Sequence, residues 1–148
     1  MKSLLANKYL ILVTRIMLGL IFVYAGIEKI TDPDGFAVSI TNYRILPVGI
    51  VNIFAITLPW LELITGILLI FGVAVKENSF IFGGLMILFT AMVFIAVLRG
   101  LDIDCGCFGT GDAQRVGLRK LIENLILIML SYNLFRTSQK SEDLISGS

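Results

Sequence analysis

The sequence predicts an all-α membrane protein, a bundle of four transmembrane helices with both termini in the cytoplasm. Hydrophobic residues make up 57% of the 148 residues and charged residues 16%, whereas a soluble domain averages about 45–50% apolar and about 25% charged residues. Four stretches approach or exceed the roughly 20 mostly apolar residues that a membrane helix requires, and they span residues 9–30, 48–75, 79–98 and 116–135. Because this number is even, both termini are expected on one side.

The remaining residues leave no room for a second domain. The two longest polar connections cover residues 31–47 and 99–115. We therefore assign residues 1–136 to one transmembrane domain and residues 137–148 to a polar C-terminal tail. The first apolar run contains Arg15 and is followed by no clear small-residue cleavage site, so we expect a retained helix rather than a signal peptide.

Charge and residue types exclude several classes of protein. A net charge of +1 lacks the large positive excess that is typical of nucleic-acid-binding proteins. The chain has no His, which removes His-based acid–base catalysis, haem ligation by His and every His-containing zinc site. Two Cys are too few for a disulfide-rich scaffold. Membrane lipid is therefore the first partner that the composition indicates.

Few charged residues fall inside the predicted spans, and Arg15 and Glu62 are two of them. Such charges are costly in a bilayer unless they pair or contact water. Counted from the predicted ends, both lie roughly 10 Å from the same side of a core about 30 Å thick. We therefore predict an intramembrane ion pair between Arg15 and Glu62. It serves either to pack the first two helices together or to handle a proton or ligand.

Small residues recur on one face of each of the first two helices, as is typical of close helix packing. Offsets of three and four residues place on one face of the first helix Arg15, Gly19, Phe22, Gly26 and Lys29. The corresponding face of the second helix carries Pro59, Glu62, Gly66 and Leu69. We interpret both faces as helix-packing surfaces.

A polar cluster is expected at the outer end of the bundle, below the loop that joins the third and fourth spans. Arg119 and Glu123 are four residues apart and can pair on one helix face, and Asn124 follows directly. Lys29 lies at the same end. We regard Lys29, Arg119 and Glu123 as the candidate environment of a thiolate or a quinone head group. The alternative is ordinary snorkelling of Arg and Lys to the membrane interface.

The loop between the third and fourth spans contains the only two cysteines, Cys105 and Cys107. A disulfide requires Cα atoms roughly 4.4–6.8 Å apart, so Gly106 must let the backbone turn sharply. So short a bridge adds little stability, and strained, exposed bridges are the more oxidising ones. Cys105 and Cys107 are therefore the candidate catalytic pair for reversible thiol–disulfide exchange.

Two alternatives for the cysteines remain open, a passive structural disulfide and a metal site. A metal would need further ligands from Asp102, Asp104 or a second copy, because no His is present, and we assign none. Disulfides persist outside the cytoplasm, which favours a periplasmic loop and cytoplasmic termini. The distribution of Lys and Arg alone hardly discriminates between the two orientations.

Over nearly its whole length the sequence resembles the DoxX-like membrane proteins and, within them, the methylamine-utilisation MauE group. The motifs that carry the resemblance are Arg15-x3-Gly19, Ala25-Gly26-x2-Lys29, Leu46-Pro47, Pro59-Trp60-x-Glu62-x3-Gly66 and Cys105-Gly106-Cys107-Phe108-Gly109. The last is the most specific, because broader DoxX relatives often lack the cysteines. The resemblance implies a four-helix membrane bundle that acts with periplasmic thioredoxin-like partners to form or sort disulfides in a client. For MauE that client is the small subunit of methylamine dehydrogenase.

A looser similarity connects the chain with quinone-linked disulfide enzymes such as DsbB and the vitamin K epoxide reductases. Those proteins are also four-helix bundles, but they carry two cysteine pairs, whereas this chain has one. The absence of a second cysteine pair argues against an electron relay between two pairs. It leaves direct transfer of electrons from the single pair to a quinone under the loop, and quinone is the one cofactor we consider.

The sequence therefore predicts a multi-pass protein of the inner (plasma) membrane. In this interpretation Cys105 and Cys107 exchange electrons with an extracytoplasmic thioredoxin-like partner, as in a thiol–disulfide oxidoreductase. The main alternative is a non-enzymatic structural or assembly subunit of a larger membrane complex. A small-solute carrier is disfavoured because the sequence contains no inverted repeat.

Overall fold

In a computed structural model, the described part of the chain, residues 2–101 and 117–146, is built from α-helices and contains no strand. The helices are α1 (Lys2–Thr31), α2 (Pro33–Asn42), α3 (Val48–Phe71), α4 (Val75–Leu98) and α5 (Leu118–Ser146). The all-α prediction is thereby confirmed for these residues.

Three helices of the described part are long and apolar enough to cross a membrane. They are Lys8–Thr31 within α1, Val48–Phe71 and Val75–Leu98, and they coincide with the first three predicted spans. The fourth predicted span falls on α5, which does not meet the same criteria of length and composition. A count of four spans and the cytoplasmic location of the termini therefore stay predictions.

The four long helices form a bundle in which each contacts two neighbours. α1 packs along α3 and α4 along α5, while contacts between α3 and α4 and between α1 and α5 close the bundle. α1 and α4 consequently face each other across the core. Phe22 and Phe82 stack there with ring centroids 3.9 Å apart, and both side chains are fully buried.

Gly19 and Gly66 set the close, antiparallel packing of α1 on α3. A Cβ atom at either glycine would lie 2.7 Å from the carbonyl oxygen of the other. Further along α1, a Cβ atom at Gly26 would lie 2.9 Å from the carbonyl oxygen of Pro59. These contacts agree with the packing faces inferred from the sequence, and they fix which levels of the two helices meet.

The short helix α2 occupies a segment that we expected to be a polar connection. Asp32 caps its N-terminus, because its carboxylate accepts a hydrogen bond of 3.0 Å from the Gly35 amide. Pro33 stands at the first helical position, where its missing N–H has no consequence. Phe36 and Ile40 are buried in the common core, so α2 closes one end of the bundle.

A buried hydrogen bond fixes α5 against α4. The Ser131 hydroxyl donates to the carbonyl oxygen of Ser79 at 2.7 Å, and Gly83 leaves room for the same side chain. α5 then continues to Ser146, so that much of the segment assigned to the polar tail is helical.

Candidate functional site

Cys105 and Cys107, the candidate catalytic pair, lie outside the described residues. The structure describes the two stems of their loop, the end of α4 at Leu98 and the start of α5 at Leu118. Since α4 and α5 are packed together and antiparallel, both stems emerge at the same end of the bundle. The C-terminus of α1 and the whole of α2 lie at this end as well.

Below this end, Lys29 of α1 forms an ion pair with Glu62 of α3. The Lys29 Nζ atom lies 2.9 Å from Glu62 Oε1 and 2.8 Å from Oε2, and both side chains are 0% exposed. Both carboxylate oxygens are therefore bonded to Lys29. The predicted pairing of Arg15 with Glu62 is wrong.

The geometry of two antiparallel helices explains this pairing. Because Gly26 lies against Pro59, the Lys29 backbone is about two turns, or roughly 9 Å, from the level of Glu62. Side chains on a helix point toward its own N-terminus. In an antiparallel pair those directions are opposite, so the Lys29 and Glu62 side chains extend toward each other and close the gap.

Arg15 lies instead at the other end of α3. A Cβ atom at Gly72 would lie 2.6 Å from Arg15 Nη1, so the guanidinium packs directly on that glycine. Gly72 is ten residues beyond Glu62, or about 15 Å along the chain at helical rise. The predicted match in depth failed because the Gly19–Gly66 contact sets a register that brings Arg15 level with residue 70 of α3, eight residues or about 12 Å from Glu62. A cation at this position complements the negative end of the α3 dipole.

Two aromatic rings enclose the ion pair. The Lys29 Nζ atom lies 5.2 Å from the ring centroid of Phe36 in α2 and 5.0 Å from that of Phe89 in α4. A ring face within about 6 Å attracts an ammonium group. The pair therefore lies in the interior of the bundle and not at its surface.

Asn124 of α5 is a second fully buried polar residue. Its exposure is 0%, and neither Nδ2 nor Oδ1 has a hydrogen-bond partner in the described part of the chain. The Ser131–Ser79 bond fixes α5 on α4 two turns further along α5, and Asn124 lies between that bond and the start of α5 at Leu118.

The first turn of α5 carries the predicted Arg119–Glu123 pair, which is confirmed. Arg119 Nε lies 3.2 Å from Glu123 Oε1, and Lys120 Nζ lies 3.2 Å from Glu123 Oε2. However, the Arg119 side chain is 94% exposed, whereas Lys29 is fully buried. The predicted cluster of Lys29, Arg119 and Glu123 is thus divided between the surface and the interior.

The spacing of residues in the sequence indicates the true partner of Glu62. Lys29 lies on the same face of the first helix as the packing glycines, and Glu62 lies on the corresponding face of the second helix. The depth estimate concealed the pair, because it depended on predicted helix ends. The contact between the glycines fixes the register directly.

Comparison with known proteins gives a consistent result. The family model described as "Methylamine utilisation protein MauE" matches residues 7–136. Proteins named "Methylamine utilization protein MauE" are similar: that of Methylorubrum extorquens is 33% identical over 133 residues, covering 89% of this chain and 72% of the relative. That of Paracoccus denitrificans is 33% identical over 118 residues, covering 79% and 63%. The chain thus spans 63–72% of these relatives' lengths. No solved structure shows a significant match.

Proposed function

Since the chain belongs to the MauE family, we propose that it is a membrane protein of methylamine utilisation that exchanges disulfides with an extracytoplasmic, thioredoxin-like partner. The observation that carries this proposal is the pair Cys105 and Cys107, the only cysteines of the chain, separated by one glycine between α4 and α5. A bridge of this size contributes little to stability, so its purpose is more readily chemical than structural.

The exchange reaction needs only the two cysteines and two thiols of the partner. A partner thiolate attacks one sulfur of the Cys105–Cys107 disulfide, and the other sulfur leaves as a thiolate. The second partner thiol then attacks the mixed disulfide. The partner gains a disulfide, and Cys105 and Cys107 become thiols, so that two electrons and two protons have moved to this protein.

The fold supports the proposal because it provides a rigid base for the loop. α4 and α5 are joined by the buried Ser131–Ser79 bond, and the Lys29–Glu62 pair lies at the loop end of the bundle. The main alternative is a subunit that only supports assembly of a larger membrane complex. It would have the same rigid helices below the loop, but its cysteines would have no redox role.

A trapping experiment distinguishes the two functions. In a Cys105→Ser or Cys107→Ser variant the remaining thiol can still attack an oxidised partner, and no second thiol of this protein can resolve the mixed disulfide. With the second thiol of the partner also replaced by Ser, a covalent adduct should accumulate and disappear on reduction. The double variant is the matched control and should accumulate in membranes without forming an adduct. A double variant that supports client maturation at the wild-type level would contradict the proposal, and so would loss of the folded bundle in that variant.

The same proposal predicts the orientation of the protein. It has four spans, the loop with Cys105 and Cys107 lies outside the cytoplasm, and both termini lie inside it. A membrane-impermeant maleimide should label reduced Cys105 and Cys107 in intact cells. Labelling only after the membrane is disrupted would show that the loop lies on the cytoplasmic side, where an extracytoplasmic partner cannot reach it.

A further inference from the structure

We propose that Arg15 and the turn between α3 and α4 form a binding site for the phosphate group of an anionic membrane lipid. The site lies at the end of the bundle opposite the cysteine loop, because α3 ends there and α4 begins there. It therefore goes beyond the proposed disulfide exchange and does not depend on the cysteines.

The Arg15 guanidinium is packed against the backbone of this turn. A Cβ atom at Gly72 would lie 2.6 Å from Arg15 Nη1, 2.9 Å from Cζ and 3.2 Å from Nη2, so the guanidinium covers the glycine. Gly72 ends α3 in the left-handed conformation, with a φ of 75°, which favours glycine. The missing side chain of Gly72 thus provides the space that the cation occupies.

Arg15 has no counterion in the described part of the chain. A guanidinium has five N–H donors, but Arg15 Nε is buried without an acceptor, and the ion pairs of the described residues do not include Arg15. Glu62 is bound to Lys29, and Glu77 in the first turn of α4 is exposed. Because an unpaired charge beside an apolar span is costly, this position favours an anionic ligand.

The C-terminus of α3 compensates only part of the charge on Arg15. The dipole of a helix is equivalent to about half an elementary charge at its end. The carbonyl oxygens of Leu68 and Leu69 already accept from the amides of Val73 and Gly72, at 3.0 and 3.2 Å. The cation therefore retains the capacity to bind an anion from outside the bundle, and the residue is partly exposed there.

The start of α4 has the polarity that favours an anion at the same place. Ala74, two residues after Gly72, caps α4 without a side-chain hydrogen bond, and the N-terminus of a helix attracts negative charge. The carbonyl oxygens of Val73 and Ala74 would repel an anion, but the Asn78 side chain donates to both, at 2.9 and 3.0 Å. The turn therefore supports the positive charge of Arg15 rather than cancelling it.

The depth of the site and the adjoining surface favour a lipid over a soluble anion. Gly72 directly follows the apolar span Val48–Phe71, so Arg15 lies where the hydrocarbon core ends. Phe71 and Val73, on either side of Gly72, are 76% and 52% exposed and provide contact for acyl chains. A guanidinium binds a phosphate through two parallel hydrogen bonds. A phospholipid supplies both the phosphate and the chains.

The test measures how added lipids change the midpoint of thermal unfolding of the full chain in dodecyl maltoside. Dioleoylphosphatidylglycerol should raise the midpoint of the wild type. Dioleoylglycerol has the same chains but no phosphate, and inorganic phosphate has no chains, so neither should raise it. Arg15→Gln should weaken the apparent affinity for the phospholipid at least about tenfold, because it removes the charged, bidentate donor.

Two further variants make the test specific. Arg136→Gln is the matched control, because it removes the same charge from an arginine at the same end of the bundle, whose Cζ atom lies 5.9 Å from the ring centroid of Tyr132. It should respond like the wild type. Arg15→Lys keeps the charge and replaces Arg15→Gln if that variant does not fold. It should respond less than the wild type, because an ammonium group cannot form two parallel hydrogen bonds.

Several results would overturn the lipid site. They are no response of the wild type to the phospholipid, an undiminished response in Arg15→Gln or Arg15→Lys, and an equal loss in Arg136→Gln. An equal response to dioleoylglycerol would assign the stabilisation to the chains alone, and an equal response to inorganic phosphate would assign it to a soluble anion. Disulfide exchange is tested separately by the trapping experiment, because the cysteine loop lies at the other end of the bundle.

Discussion

The α1–α3 half of the bundle and the α4–α5 half both bury polar groups, but in the described part of the chain only the first half pairs its buried charged groups with each other. Lys29 and Glu62 are fully buried and satisfy each other through two hydrogen bonds. Asn124 is equally buried, and its carboxamide has no partner among the described residues. The ion pair of the first half therefore stabilises the packing of α1 on α3, while the second half contains a buried carboxamide whose hydrogen-bonding capacity is unused among the described residues.

The largest expected effect comes from breaking the ion pair on the α1–α3 side. Lys29→Met leaves the Glu62 carboxylate buried without a partner and should cost about 3–5 kcal/mol in the free energy of unfolding. The double variant with Glu62→Leu should recover most of this loss, because no unpaired charge remains. Thermal unfolding in detergent measures both, with Lys8→Met as the control at an exposed lysine of the same helix. If Lys29→Met and Lys8→Met behave alike, the pair has no structural role.

A smaller loss is expected from the contact between α1 and α3. In Gly66→Ala the added methyl group would lie 2.7 Å from the Gly19 carbonyl oxygen, so the helices must separate, at a cost of about 1–3 kcal/mol. Gly84→Ala is the matched control on α4, because nothing lies within 4 Å of the added atom. It should be neutral or should stabilise the helix by up to about 1 kcal/mol. Equal unfolding midpoints for the two variants would show that the close approach is not needed.

Arg15 provides the sharpest contrast with Lys29. If its main interaction is with the C-terminal end of α3, Arg15→Leu should cost only about 0.3–1 kcal/mol. A double-mutant cycle between Arg15 and Glu62 should give a coupling energy below about 0.5 kcal/mol. A coupling as large as that between Lys29 and Glu62 would restore the pairing expected from the sequence.

The smallest effect should come from the exposed pair on α5. Arg119→Ala removes an ion pair between residues four apart on a helix surface, which is worth about 0.3–0.5 kcal/mol. Thermal unfolding in detergent measures this effect. A loss as large as that expected for Lys29→Met would contradict the assignment of Arg119 to an exposed surface pair.

Local patterns in the sequence predicted the local features of this fold. Long apolar runs identified three helices that suit a membrane, and the four-residue spacing of Arg119 and Glu123 predicted their contact. Both depend on residues close together in the chain. The helix α2 was missed because the segment is short and polar, although Asp32 and Pro33 together mark a helix start.

Contacts between residues far apart in the chain could be predicted only if the register of the helices against each other was known. Counting from predicted helix ends placed Arg15 and Glu62 at one depth, while Gly19 and Gly66 set a register in which Lys29 reaches Glu62. The depth of Glu62 was counted from the far end of a core about 30 Å thick, but α3 has 24 residues and is about 36 Å long, so that count does not give the distance from the near end. The unpaired state of Asn124 was likewise beyond the sequence, since it depends on which side chains from four helices meet.

The most direct test of the proposed function is the reduction potential of Cys105 and Cys107 in native membranes. It is measured by equilibration with defined ratios of oxidised and reduced dithiothreitol, followed by alkylation of the remaining thiols. A pair that exchanges disulfides should titrate reversibly, with a potential above roughly −300 mV, while the bundle stays folded throughout. A potential far below that range is typical of a static structural disulfide and would contradict the exchange function.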